Sequence, residues 1–252
     1  MTLTARALDI LSTLVAFDTT SRLSNLALIG WVEAYLDRHG VPHRRAPNPD
    51  GTKTNLLATV GPMISGGVVL SGHTDVVPVD GQPWITDPFT LTAKDDGRLY
   101  GRGTCDMKGF LALALAAVPD LVAAGPKKPV HLAFSYDEEI GCLGAPDLIG
   151  LIGRELPAPA LVVVGEPTKT PPRYTSYFAA SVAATQANET LLLVLVGLVS
   201  AVGVATMMAV TAAIRNDCAV VPLQSNCCNC CPFAVELFGI SRQRPLWRAV
   251  NL

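Results

Sequence analysis

This chain lacks a basic field. A net charge of -2 and a pI near 6.1 argue against nucleic acid as a partner. Residues 1–20 carry apolar side chains at helical spacing and lack both a continuous apolar core and a small-residue cleavage site, so no secretory signal peptide is expected. Seven cysteines are present, but not at the spacing of a disulfide framework. Cys105 and Cys142 lie among acids, while Cys218, Cys227, Cys228, Cys230 and Cys231 crowd the far end. A reducing, cytoplasmic compartment is therefore expected. The chain does have apolar residues in quantity: 50% of 252, enough to bury a core between one large domain and two small ones.

Apolar positions at Ala7, Leu8, Leu11, Leu14 and Val15, then at Leu26, Ile29, Trp31, Val32, Tyr35 and Leu36, predict two amphipathic helices split by Asp18-Thr-Thr-Ser. Gly40 stops the second, and His39 and His43 are expected as solvated residues at that helix end. Short apolar runs at 55–60, 68–71, 130–136 and 161–164 read as strands. The nearly all-apolar run 108–124 reads as a helix packed between a sheet and other helices, with Pro119 expected to kink it or end its first half. This alternation predicts an α/β fold, a mixed sheet flanked by helices.

Chemistry-bearing residues fall where strands end. His73 and Asp75 follow the run 68–71, Glu138 and Glu139 follow 130–136, and Glu166 follows 161–164. Ligands of open α/β sheets gather beyond the carboxyl ends of strands. His131 lies at the other end of its strand and reads as structural. A pair of divalent metals about 3.5–4 Å apart needs one bridging carboxylate, plus a histidine and a further carboxylate on each metal. Asp106, in a glycine-rich turn at a helix start, is the natural bridge. His73 and Glu166 would complete one metal, and Glu139 would supply half of the other. Asp75 reads as the acceptor that fixes the histidine tautomer. Glu138 is left as general base, able to take a proton from water and return it to a leaving nitrogen. Any one of these acids alone would read as a solvated loop residue; four acids and a histidine at matching element ends do not.

The strings SGHTDVVP (71–78), YGRGTCDMKG (100–109), DEE (137–139) and GEPT (165–168) closely resemble the M20 family of zinc hydrolases. The resemblance implies a zinc-exopeptidase-like catalytic domain holding two zinc ions and hydrolysing the amide of a small N-acyl amino acid. It makes His73 and Glu166 ligands of one zinc, Asp106 the bridge and Glu139 a ligand of the other. Glu138 becomes the general acid/base and Asp75 the partner orienting His73. It also implies a homodimer and a cis peptide after Asp106. Histidine and carboxylate ligands would accept cobalt or manganese as well.

The resemblance covers residues 1–169, expected as the N-terminal part of the catalytic domain. The family would continue into a lid and dimerisation domain, but no histidine follows His131, so its lid histidine and last zinc-ligating histidine have no counterparts. Residues 170–252 read as an unrelated, apolar, cysteine-rich tail. Of the charged residues, 32 precede position 170 and 8 follow, with no lysine after Lys169. The run 190–214 is uncharged and long enough to span a bilayer core of about 30 Å. A membrane anchor followed by acylated cysteines, a buried helix, and sequence joined by truncation or frameshift are the three alternatives. The C-x-x-C pairs at 227/230 and 228/231 are a weaker zinc-binding signal. Two functions follow: a metal-dependent amide hydrolase, or a truncated or frameshifted remnant, non-catalytic or membrane-tethered, that cannot complete its second zinc site.

Overall fold

The computed structural model describes residues 1–165 and the backbone of residues 248–251. Glu166, the run 190–214 and the cysteines from 218 onward lie outside the described residues. Two helices open the chain, α1 (Leu3–Ala16) and α2 (Leu26–Arg38), with the Thr2 hydroxyl capping α1 by accepting the Ala5 N–H. Three strands follow, β1 (His43–Pro47), β2 (Thr54–Val60) and β3 (Val68–His73), then a small hairpin of β4 (Thr92–Ala93) and β5 (Leu99–Tyr100). Helix α3 (Lys108–Ala124), strand β6 (Val130–Ser135), helix α4 (Ala145–Glu155) and strands β7 (Leu161–Val164) and β8 (Arg248–Asn251) complete the order.

Six strands form one mixed sheet in the order β1-β2-β6-β3-β7-β8, with the β1/β2 and β2/β6 pairs antiparallel and the others parallel. Period-2 alternation divides the core between its faces. Leu56, Ala58, Leu70, Leu132, Phe134 and Val163 join the cluster of α1, α2 and α3. Their sequence neighbours Leu57, Val69, Ala133 and Val162 join Leu148 and Leu151 of α4. A sheet covered on both faces accounts for strands that read as continuous apolar runs.

The structure departs from the sequence reading at two places. Helix α3 continues through Pro119, so the proline does not end its first half. Proline removes the N–H that would bond the Leu115 carbonyl, but the Tyr35 hydroxyl donates to that carbonyl at 3.1 Å, and Arg6 Nε donates to the next one, Ala116, at 3.1 Å. His43 lies in β1 rather than at a solvated helix end, half-buried with Glu33 and Asp37 at 3.9 and 3.8 Å. His39 does cap α2. Strand β1 reads HRRAP, and its charge suits an edge strand, where arginine and proline discourage pairing with another chain. Among the described residues no helix is long and apolar enough to cross a membrane.

Candidate metal centre

Parallel pairing brings the acidic strand ends together. Strands β6 and β7 both run alongside β3, with His73 opposite Ser135 and Ser71 opposite Val164. His73 therefore finishes β3 beside the chain that leads into Glu138 and Glu139. Asp106 arrives from the turn before α3, and the Asp106–Met107 peptide is cis, as the resemblance implied. Gly103 in that turn has φ +79°, and a Cβ there would lie 2.7 Å from Val76 Cγ1, so glycine is required for the turn to pack this closely.

One ligand atom from each of His73, Asp106 and Glu139 lies within 4.8 Å of the others. His73 is 1% exposed, so it can reach a cation from one direction only. Its Nε2 stands 2.9 Å from Asp106 Oδ1 and 3.9 Å from Glu138 Oε2. Its Nδ1 lies 2.9 Å from the Asp75 backbone carbonyl and 3.4 Å from the Asp75 carboxylate. These acceptors assign the Nδ1 proton and leave Nε2 facing the acids. His131, at the far end of β6, is wholly buried and pairs with the Thr59 hydroxyl at 2.9 Å; burial lowers its pKa to about 4.

The loop after β6 holds the two glutamates by backbone bonds. The N–H groups of Glu138 and Glu139 donate to the Asp75 carboxylate at 3.0 and 3.2 Å, and those of Gly141 and Cys142 both donate to the Glu138 carbonyl at 3.0 Å. Asp137 adopts φ +54°, and its carboxylate bonds Lys53 Nζ. The Cys142 thiol lies 3.5 Å from Glu138 Oε1.

Electrostatically the cluster is an acid-rich pocket. Burial raises the Glu138 carboxyl, with the Asp106 charge adding to the rise and His73 opposing it. Burial, then Asp106, pushes Glu139 up to about 7. Burial alone would lower His73, yet hydrogen bonds to Asp106 and Asp75 carry it well above its ordinary value. Lys108, fully buried, has its pKa lowered to about 7 by burial, against the opposing charges of Asp18 and Asp75. An imidazole and several carboxylates crowded together in this way fit a divalent cation, which would relieve their mutual repulsion.

A pH dependence follows. Between its ordinary 4.5 and about 7, Glu139 holds a proton in the metal-free fold, which the unfolded chain has already released. Its contribution therefore weakens the metal-free fold as pH rises through that window. A cation must displace this proton and the one on His73. Cation affinity is thus expected to fall steeply, with more protons released per cation, as pH drops from about 8 to about 6. Calorimetric titration with cobalt in buffers of different ionisation enthalpy measures both; an affinity flat across that interval would contradict the assignment.

The sequence reading overlooked Ser21, which bonds Asp75, and Lys53 and Lys108, which pin the surrounding loops. A signal was present in the uninterrupted polar run Asp18-Thr-Thr-Ser between two apolar helices.

Comparison with known proteins places this fold in a family. The sequence profile of Peptidase family M20/M25/M40 matches residues 69–235, a range that continues past Lys169. Acetylornithine deacetylase of Proteus mirabilis (strain HI4320) is 39% identical over 158 residues, covering 62% of this chain and 40% of the relative. The protein of that name from Yersinia pestis is 40% identical over 172 residues, covering 66% and 43%. The chain thus spans about two fifths of the length of these relatives. Among solved structures, human carnosine dipeptidase 1 superposes with a TM-score of 0.56 at 24% identity, covering 65% of this chain and 38% of that one. The M20 family metallo-carboxypeptidase Sso-CP2 from Sulfolobus solfataricus gives 0.55 at 25% identity, covering 64% and 37%. With its mixed sheet, its acid-rich centre and a profile match over most of its length, the chain belongs to Peptidase family M20/M25/M40.

Proposed function

We propose that residues 1–169 form part of a metal-dependent amide hydrolase acting on a small N-acyl amino acid, and that the substrate is N2-acetylornithine, cleaved to ornithine and acetate. The convergence of His73, Asp106 and Glu139 beside a spare carboxylate, Glu138, carries the chemistry. The likeness to acetylornithine deacetylases supports the substrate, a choice that would place the chain in arginine biosynthesis in the cytoplasm.

His73, Asp106 and Glu139 would hold the metal, with Asp106 as bridge and Glu166 as a further ligand. Zinc suits these donors, and cobalt or manganese would accept them too. When bound, such cations supply Lewis-acid polarisation of the amide carbonyl and acidify the attacking water. Glu138 does the proton work. Burial raises its carboxyl above the ordinary glutamate value, which strengthens it as a base, and it takes a proton from the attacking water and returns it to the departing nitrogen. Asp75 holds His73 from behind and the Glu138 and Glu139 amides in front, so one carboxylate sets base and ligands relative to each other.

Ornithine release from N2-acetylornithine by the cobalt- or zinc-loaded chain tests the proposal, with N-succinyl-diaminopimelate as the competing substrate. Turnover of the acetyl compound supports it. Turnover of the succinyl compound alone would reassign the substrate within the family. Cation binding without turnover of either would favour the second reading, a non-catalytic chain, which rests on His73 being the sole histidine brought to the centre among the described residues.

A further inference from the structure

The turn between α1 and α2 reaches the candidate centre through a side chain outside every motif. Ser21 is 4% exposed, and its hydroxyl donates to Asp75 Oδ2 at 2.7 Å. The same carboxylate accepts the N–H groups of Glu138 at Oδ1 and Glu139 at Oδ2, and its Oδ1 stands 3.4 Å from His73 Nδ1. Asp75 is therefore where the end of β3, the Glu138–Glu139 loop and the α1–α2 turn meet. The terminal torsion of an aspartate is broad and close to two-fold, so no rotamer preference fixes which way its oxygens face. Donors have to fix it. Two belong to the loop being positioned and one to the histidine being oriented; Ser21 is the donor that belongs to neither.

The turn can serve as such a reference because it is anchored independently. The Ser21 N–H donates to the Val76 carbonyl at 3.1 Å, and the Val76 N–H donates to the Thr19 carbonyl at 3.1 Å. The Thr19 hydroxyl donates to the Thr74 carbonyl at 2.6 Å. The buried ammonium of Lys108 donates to the Phe17 carbonyl at 2.7 Å, and Lys53 bonds both the Ser21 carbonyl and Asp137. Backbone groups of Ser21 thus hold the turn, leaving its hydroxyl to hold Asp75.

We infer that Ser21 is a positioning residue: its hydroxyl fixes the Asp75 carboxylate in the one orientation that holds the Glu138 and Glu139 amides while facing His73. The consequence for cation binding rests on the proposed function; the consequence for the loop does not.

Hydrogen exchange of the Glu138 and Glu139 amides in the metal-free 252-residue chain separates the two, with the Leu132 amide of β6 as reference and cobalt titration beside it. Ser21→Ala is expected to speed exchange at both glutamates by about tenfold or more relative to Leu132, and to weaken cobalt binding by about 10–100-fold. Ser21→Thr, which keeps the hydroxyl, is expected to return both to within about threefold of the parent chain. Unchanged exchange in Ser21→Ala, Ser21→Thr exchanging as fast as Ser21→Ala, or Leu132 accelerating equally would overturn the inference. Faster exchange in a chain that binds no cobalt would support the positioning role and overturn the metal centre.

Discussion

Glu138→Gln is expected to lower amide hydrolysis by about 10²–10⁴-fold, the span removed with a positioned general acid/base, while cation affinity stays within about threefold. Glutamine keeps the size and one oxygen of the side chain, so the loop held by Asp75 is unaltered. It cannot carry a proton from water to the leaving nitrogen. The two effects separate because Glu138 is not among the grouped donors His73, Asp106 and Glu139. Steady-state ornithine release and a cobalt titration on the same preparations measure them. Activity within tenfold of the parent chain would remove Glu138 from the mechanism, and a collapse of cation binding would make it a ligand instead.

Phe134→Ala is expected to destabilise the fold by about 3–5 kcal/mol, the usual cost of emptying a phenylalanine site in a core. Phe134 is completely buried in β6, in register between Leu56 of β2 and Gly72 of β3. A side chain at Gly72 would already collide with Met107, Leu111 and Phe110, so this layer is filled. Neighbours locked in three strands and α3 cannot collapse into the hole, which places the cost toward the upper part of that range. Urea unfolding of the metal-free proteins gives the difference. A loss below about 1 kcal/mol would show that the layer relaxes, contrary to the packing described. Because His73 follows Gly72 directly, weakened cation binding is expected alongside.

Much of this architecture was legible from pattern. The strand 161–164 coincides with β7, and the runs at 55–60, 68–71 and 130–136 fall within one or two residues of β2, β3 and β6. Both opening helices were read from their apolar spacing. What escaped has physical reasons. Strand β1 carries histidine and two arginines because it is an edge, so it lacks the apolar signature that marks buried strands. Helix α4 buries Leu148 and Leu151, a short stripe interrupted by Gly150 and Gly153. The continuity of α3 through Pro119 depends on Tyr35 and Arg6, more than 80 residues away in sequence in each case, and no local rule could supply them.

The candidate site divides in the same way. His73, Glu138 and Glu139 were legible because the parallel strands β3 and β6 finish side by side, and Asp106 because its glycine-rich turn opens helix α3. Ser21 was not, because its role depends on where the α1–α2 turn folds back over Asp75. Asp75 itself was expected to meet the histidine through its carboxylate; the nearer acceptor of Nδ1 is its backbone carbonyl, while the carboxylate also organises the glutamate loop.

Cation binding by His73, Asp106 and Glu139 is measured by cobalt titration of the metal-stripped chain, followed by its visible absorption spectrum. Saturable binding of at least one cation per chain is predicted, with a loss of about 100-fold or more in Asp106→Ala, which removes the carboxylate proposed as the bridge. A parent chain that takes up no cobalt, or an Asp106→Ala chain that binds it as tightly with the same spectrum, would rule out a cation site built on these residues.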